Sequence, residues 1–387
     1  MDGGRSFRNQ KRAENLETQG RIPALLVSIA EQFTPYGRVL EVREYGRGNV
    51  HDTYLVTRDW PDEKNFILQR LNTRVFRNPQ RIMDNLGVVT EHVGQRLKGH
   101  PLAEGRRWEV PQVLLTREGK NLYHDSQGQV WRALRFIEAA QTYDTIQNPD
   151  HAREVGFALG RFHRLLSDLP GVRLAVTLEG FHVTPGYLRH FDKVISANPP
   201  APGAAADYAL DFIRQRRSWA SVLIEAQAKG RLKERVIHGD PKVNNVLLDV
   251  VTGQAVGMID LDTVQPGLVH YDIGDCLRSG CNPLGEETEN PEAVYFDLHL
   301  CRAILQGYFT EARDFLTPAD YAYIYAAVRL LAFELGLRFF TDFVAGNVYF
   351  RATNPEHNLR RALVQFRLTE SIESQQAEIE AIVRDFI

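Results

Sequence analysis

Cysteine is scarce in this chain: Cys276, Cys281 and Cys301 are the only three in 387 residues. An odd count at that spacing describes neither a disulfide framework nor a zinc site, so reduced, buried thiols are expected. Net charge is also small, −3 at neutral pH with a pI near 6.5. That balance gives no global pull toward nucleic acid or an anionic membrane, so any phosphate binding must be local. No uninterrupted apolar run approaches the roughly 20 residues that span a bilayer. The opening "MDGGRSFRNQKRAENLETQG" has no apolar leader core. A cytoplasmic protein is expected, with residues 1–20 as a poorly ordered tail. There is no internal repeat.

What is present is ordinary for a globular protein: 43% hydrophobic and 25% charged residues, in a chain long enough for two or three packed units. "IPALLVSIAEQFT" carries helical spacing with Pro23 near its start. "RVLEVREYG", "DTYLVTR" and "NFILQRLN" alternate as strands, separated by turn residues. A helix is predicted from about Pro79 to Lys98, followed by two more strands in "QVLLTR" and "VWRALRFIE". Beyond Glu138 the pattern is helical apart from a short hairpin, "NVLLDV" and "AVGMIDL", joined at Thr252-Gly253. The expected architecture is α+β: an N-terminal lobe over 21–137 with a five-stranded antiparallel sheet and a helix, and a larger, mostly helical lobe over 138–387.

Two stretches carry chemistry. In "YGRGNVHDTYLV", Gly46 and Gly48 lie in a turn between strands, which excludes a helix-opening dinucleotide fingerprint. It resembles the glycine-rich loop that covers phosphates in kinases. Arg70, one strand later, is the candidate phosphate cation, with Glu91 or Asp84 of the following helix to orient it. The second stretch is "IHGDPKVNNVLLD". Here His238, Asp240, Lys242 and Asn245 follow the spacing of a phosphoryl-transfer loop. Asp240 would take the acceptor hydroxyl's proton and Lys242 would neutralise phosphoryl charge. Asn245 would offer a hard oxygen to Mg²⁺, and His238 would hold the loop backbone. Asp260 follows fifteen residues after Asn245, at the end of a hairpin that returns it to the same place as a second metal ligand. Asp262 stands by as a helper, and Asn244 has no assigned role.

At these residues the chain resembles the aminoglycoside phosphotransferase and choline kinase group, which has a two-lobed protein-kinase-like fold. The match is the H-x-D-x-x-x-x-N loop, the Ile259-Asp260 pair and the later "YDIGD". The resemblance implies ATP as co-substrate, Mg²⁺, and a loop-supporting role for Asp272. No A-P-E segment follows "DTVQPG", which favours a small-molecule acceptor over a protein. "NVHDTYLV", "GRFHRLLSDLPG", "IDLDTVQPG" and "FELGLRFFTDFVAGNVYF" further resemble the N-acetylhexosamine 1-kinases. Those enzymes phosphorylate the anomeric hydroxyl of N-acetylglucosamine or N-acetylgalactosamine. The resemblance implies sugar contacts at Arg338 and Tyr349, types suited to clamping oxygens and stacking on a sugar face.

The sequence therefore predicts an ATP- and Mg²⁺-dependent sugar kinase, monomeric or homodimeric. Adenine would bind backbone groups of Phe136 to Glu138. A rival of the same fold would phosphorylate an aminoglycoside, choline, homoserine or methylthioribose, with Glu286, Glu287 and Glu289 as a wall for a cationic acceptor. Two readings of other classes are a metal-dependent glycosyltransferase, from the D-x-D at Asp260-Leu261-Asp262, and a pseudokinase.

Overall fold

The computed structural model describes residues 24–34, 37–46, 50–60, 64–99, 102 and 105–387. The expected N-terminal tail, Pro23, Gly48 and the turn at 61–63 lie outside the described residues.

The chain divides into two compact units. The first comprises the residues up to Pro79 together with Gln112–Phe136. It opens with helix α1, Ala24–Ala30, then strands β1, Val39–Glu44, β2, Asp52–Arg58, and β3, Asn65–Arg70. Helix α2, Pro79–Gly99, follows in the chain, and then β4, Val113–Leu114, β5, Tyr123–His124, and β6, Val130–Arg135. The antiparallel sheet has six strands rather than the five expected, in the order β1-β2-β3-β6-β4, with β5 also paired to β6. The extra strand is only Tyr123 and His124, too short to leave an alternation signal in sequence. Strand alternation sends Val42, Val56, Phe66, Leu68, Trp131 and Ala133 to one face, where Ile29, Ala30 and Phe33 cover them.

The second unit holds Gln80–Pro111 and Ile137–Ile387. Helix α2 and the segment after it thus belong with the second unit, not with the N-terminal lobe as the 21–137 boundary implied. The reason is specific bonding. Asn85 of α2 donates to the carbonyls of Ala175 and Val264 at 2.8 and 2.9 Å and accepts from the Ala175 N–H. The Glu109 N–H donates to the Val256 carbonyl at 2.7 Å, and Arg106 pairs with Glu154.

The unit continues through β7, Ala140–Gln141, and four helices: α3, Pro149–Leu166, α4, Thr184–Ala197, α5, Ala204–Arg216, and α6, Val222–Ala228. Next come β8, Arg235–Ile237, β9, Val246–Asp249, β10, Ala255–Met258, and β11, Gln265–Gly267. Helix α7, Val269–Gly280, leads to α8, Leu298–Ala312, α9, Pro318–Ala322, α10, Ile324–Val344, α11, His357–Ser374, and α12, Gln376–Arg384. Gly156 of α3 and Gly307 of α8 let these helices meet backbone to backbone, since a Cβ at either would strike a carbonyl of the other. A phenylalanine-rich core joins α4, α5, α10 and α11 through Phe191, Phe212, Phe333, Phe340 and Phe366. The three cysteines are free and buried, and burial raises the thiol pKa of Cys276 and Cys281. Among the described residues no helix is long and apolar enough to cross a membrane.

Candidate active site

Residues 238–245 form a loop between β8 and β9, and every backbone polar group of His238, Gly239 and Asp240 has a partner. Asp272, on the first turn of α7, takes the His238 N–H at 2.6 Å and the Gly239 N–H at 2.8 Å. The His238 carbonyl accepts from Thr263 Oγ1 at 2.7 Å, and the Gly239 carbonyl accepts from His182 Nε2 at 2.8 Å. The Asp240 N–H reaches His238 Nδ1 at 3.3 Å, and its carbonyl accepts from Asn245 Nδ2 at 2.7 Å. A loop with all its donors and acceptors fixed holds its side chains in one arrangement. Gly239 is required there. Its φ is +87°, and a Cβ would come within 2.8 Å of Thr263.

The supporting charges are buried. Asp272 also meets His163 Nε2 at 2.8 Å, and His163 Nδ1 meets Tyr308 Oη at 3.0 Å. Burial opposes the Asp272 charge, but His163 and the backbone donors overcome it and hold the carboxyl below its ordinary range. His238 Nε2 lies 3.0 Å from the Ile259 carbonyl, an acceptor only. The hydrogen is therefore on Nε2, and Nδ1 is free to accept from Asp240. His238 supports the loop and keeps its tautomer.

Asp240 itself pairs with Lys242, Nζ to Oδ2, at 2.8 Å, and Asn245 Nδ2 lies 3.2 Å from the same oxygen. Burial resists ionisation of Asp240, Lys242 more than offsets it, and the carboxyl titrates below its usual range. Lys242 is correspondingly held protonated. The hairpin β9–β10 pairs Met258 with Val246, and the Ile259 N–H donates to the Asn245 carbonyl at 2.9 Å. Asp260 follows with a left-handed backbone, φ 62° and ψ 53°, an arrangement non-glycine residues adopt at a cost and chiefly at functional sites. Asp262 is buried in the short turn Leu261–Thr263.

A divalent cation fits this donor set. Asn245 uses its amide nitrogen on Asp240, so its Oδ1 points elsewhere and accepts no hydrogen bond from the described residues. One amide oxygen and one carboxylate suit Mg²⁺ completed by phosphate oxygens and water. Among the described residues no three His, Cys, Asp or Glu side chains form a preformed metal cage.

The remaining predicted residues fall as follows. Arg70 lies on the α1-covered face of the sheet, opposite Asp52, and its Nε donates to Asp52 Oδ2 at 2.7 Å. The structure thus places Arg70 in a surface ion pair. Gln69 shares the opposite face with Arg132, whose Nε donates to Gln69 Oε1 at 2.9 Å. Asp84 and Glu91 each accept from a glutamine one turn away on α2, Gln80 and Gln95. Gly46 has φ +76°, as a tight turn requires. The Phe136 ring meets Tyr45 edge-on at 5.9 Å. The Glu138 carbonyl accepts from Arg107 Nη2 at 2.8 Å. Asn244 leaves a buried Oδ1 without a partner.

Arg338 on α10 is partly buried among four rings. Its guanidinium carbon lies 5.4 Å from the centroid of Phe181, 5.1 Å from Tyr187, 5.9 Å from Tyr349 and 5.3 Å from Phe350. It makes no hydrogen bond or ion pair with the described residues, and it feels the charges of Glu334 and Asp240. Burial pushes the Tyr187 phenol up to about 12. Tyr349 is half exposed on a loop organised by Asp342, whose carboxylate accepts the N–H groups of Val348, Tyr349 and Phe350 at 3.0, 2.8 and 2.9 Å. Sequence reasoning missed Asp342, His163, Thr263, His182 and Glu334. The polar residues set within the apolar helical faces of "GRFHRLL" and "LAFELGL" were the available signal.

A model of the phosphotransferase enzyme family matches residues 41–306. Among solved structures, a microcompartment-associated aminopropanol kinase is 17% identical with a TM-score of 0.58, the match covering 92% of this chain and 98% of its own. An aminoglycoside phosphotransferase from Alicyclobacillus acidocaldarius is 15% identical with a TM-score of 0.59, covering 95% and 97%. A choline kinase from Cryptosporidium parvum is 15% identical with a TM-score of 0.57, covering 93% and 97%. At such identities the likeness is one of fold: an antiparallel sheet followed by a helical unit, as in these small-molecule kinases. With a family match over well more than half its length, the chain belongs to the phosphotransferase enzyme family.

Proposed function

We propose that the protein is an ATP- and Mg²⁺-dependent small-molecule kinase that phosphorylates the anomeric hydroxyl of an N-acetylhexosamine. The observation that carries the kinase reading is the fully bonded His238–Asp240 loop, which fixes the Asp240 carboxylate between Lys242 and Asn245. Asp240 orients the acceptor hydroxyl. A carboxylate held at low pKa is a weak base, which suits a loose transition state in which the hydroxyl keeps its proton until late. Lys242 neutralises charge on the transferring group. Asn245 Oδ1 and Asp260 would hold Mg²⁺, which supplies charge neutralisation on the nucleotide phosphates when bound. The family supports a nucleotide co-substrate, and the structural neighbour spectinomycin phosphotransferase was solved with ADP and spectinomycin.

The acceptor class is inferred from the Arg338 box. Aromatic faces and an arginine free of a carboxylate partner suit a neutral, oxygen-rich ring, whose C–H faces stack and whose hydroxyl or acetyl oxygens accept from the guanidinium. A cationic acceptor is disfavoured. Two of the three carboxylates that would form its wall are engaged, Glu286 near Arg278 at 3.5 Å and Glu287 with Arg361 and His357.

Phosphorus NMR of a reaction of N-acetylglucosamine or N-acetylgalactosamine with ATP and Mg²⁺ tests the reading. The expected product signal is an anomeric phosphate. Consumption of ATP with amino alcohols or aminoglycosides, but with neither sugar, would overturn the acceptor assignment. Undiminished turnover in Asp240→Asn would overturn the kinase site.

A further inference from the structure

His182 is one of four non-glycine residues with positive φ among the described residues, at 60°. It is buried, and its ring is stacked on Tyr271 at 5.2 Å. A strained backbone under a buried, polar ring needs compensating bonds, and His182 has two. Nε2 lies 2.8 Å from the Gly239 carbonyl, an acceptor only, so Nε2 carries a hydrogen. Nδ1 lies 2.8 Å from Oε1 of Glu334, itself buried, and Glu334 Oε2 accepts from Thr184 Oγ1 at 2.6 Å. Burial disfavours a charged ring, but Glu334 outweighs it, and the His182 pKa is raised. The two side chains face each other through this short buried contact, and Thr184 occupies the second oxygen of Glu334.

The two ends of this pair lead to different parts of the site. Through the Gly239 carbonyl, His182 grips the peptide that precedes Asp240. Glu334 lies one helical turn before Arg338 on α10. Phe181, next to His182, is one wall of the Arg338 box, and Tyr187 a few residues on is another. We propose that His182 and Glu334 are positioning residues that set the distance between the Arg338 box and Asp240, and so align the acceptor hydroxyl with the carboxylate that orients it. This rests on the reading of Asp240 as the acceptor-orienting group. A misplacement of about 1 Å in such a geometry costs roughly 100-fold in rate.

The test compares wild type with His182→Gln and Glu334→Gln, the second keeping the shape while removing the charge and one of the two acceptor oxygens. The bridge predicts a kcat lower by about 10- to 100-fold in His182→Gln and less in Glu334→Gln, with KM for ATP within about twofold of wild type. Amide hydrogen exchange is read in parallel, with ADP binding as a check of fold. Exchange should quicken in the peptide spanning 236–246 and stay unchanged in α3 and α8. Wild-type kcat in both variants, or a kcat loss matched by an equal loss of ADP binding and by faster exchange throughout, would overturn the bridge. If wild type phosphorylates no acceptor, the kinase reading fails, and the exchange pattern still decides whether His182 holds the loop.

Discussion

The Ile259 N–H donates to the Asn245 carbonyl at 2.9 Å, and the Ile259 carbonyl faces His238 Nε2 at 3.0 Å. Ile259, tied through both its N–H and its carbonyl, fixes where the chain enters Asp260, which the proposed function pairs with Asn245 as a metal ligand. Asp260→Asn keeps the size and removes the charge. We expect it to lower turnover on the order of 10³-fold, the scale of losing one preorganised electrostatic contact. It should also weaken ADP binding in the presence of Mg²⁺ while leaving Mg²⁺-free ADP binding unchanged. Calorimetric titration of ADP with and without the metal checks this. An equal loss under both conditions would remove Asp260 from the metal site.

Much of this loop was legible because its chemistry is local. Residue types and spacing within "HGDPKVNN", and the hairpin that follows, placed Asp240, Lys242, Asn245 and Asp260 without any tertiary information. What holds the loop was not legible. His163, Thr263 and His182 come from separate elements, and nothing near them in sequence says which backbone group they will meet. Strand register was the other limit. Arg70 and Gln69 are neighbours, and a shift of one residue exchanges their faces. The sheet face packed under α1 decides that Arg70 meets Asp52. Helix α2 likewise reads as part of the N-terminal lobe until Asn85 is seen bonded to Ala175 and Val264.

Arg70 therefore yields a contrast with the phosphate-binding role expected from its strand. Its ion pair with Asp52 is exposed, and such pairs are worth about 0–1 kcal/mol. Arg70→Ala should leave KM for ATP within about twofold of wild type and shift the unfolding midpoint only slightly. Initial-rate kinetics over a range of ATP concentrations would reveal an error here as a rise in KM of tenfold or more.

His270 gives the stability a defined acid limb. Its Nε2 lies 2.9 Å from the Asp320 carbonyl and so carries the hydrogen, while Nδ1 is buried without a partner. Burial depresses its pKa to about 4. The unfolded chain, with a histidine pKa near 6.5, then binds more protons than the folded protein between the two values. The contribution is fully present above about pH 6.5 and is lost as pH falls toward 4, amounting to about 3 kcal/mol. His182 runs the other way, because its folded pKa is raised. Its contribution is complete below about 6.5 and fades as pH rises through the folded value. Urea unfolding across pH 4 to 7 should show the acid loss, and His270→Gln, which cannot protonate, should flatten it. An unchanged slope in that variant would mean another group carries the acid limb.

The loop that carries Tyr349 and Phe350 beside Arg338 depends on Asp342. Its carboxylate accepts three successive backbone N–H groups, those of Val348, Tyr349 and Phe350, and the Asn358 amide at 3.0 Å. No neutral side chain of that size accepts four donors, so Asp342→Asn must turn an N–H toward an N–H or release part of the loop. The cost of an unmet buried donor is about 1–3 kcal/mol. Tyr349 and Phe350, two walls of the Arg338 box, would then lose their fixed position. The expected kinetic signature is a KM for the sugar raised about tenfold, with KM for ATP unchanged. Arg338→Lys should raise the same KM, because a point charge replaces a planar fork of donors. If both variants instead lower kcat with sugar KM intact, the box positions the catalytic loop and does not contact the acceptor.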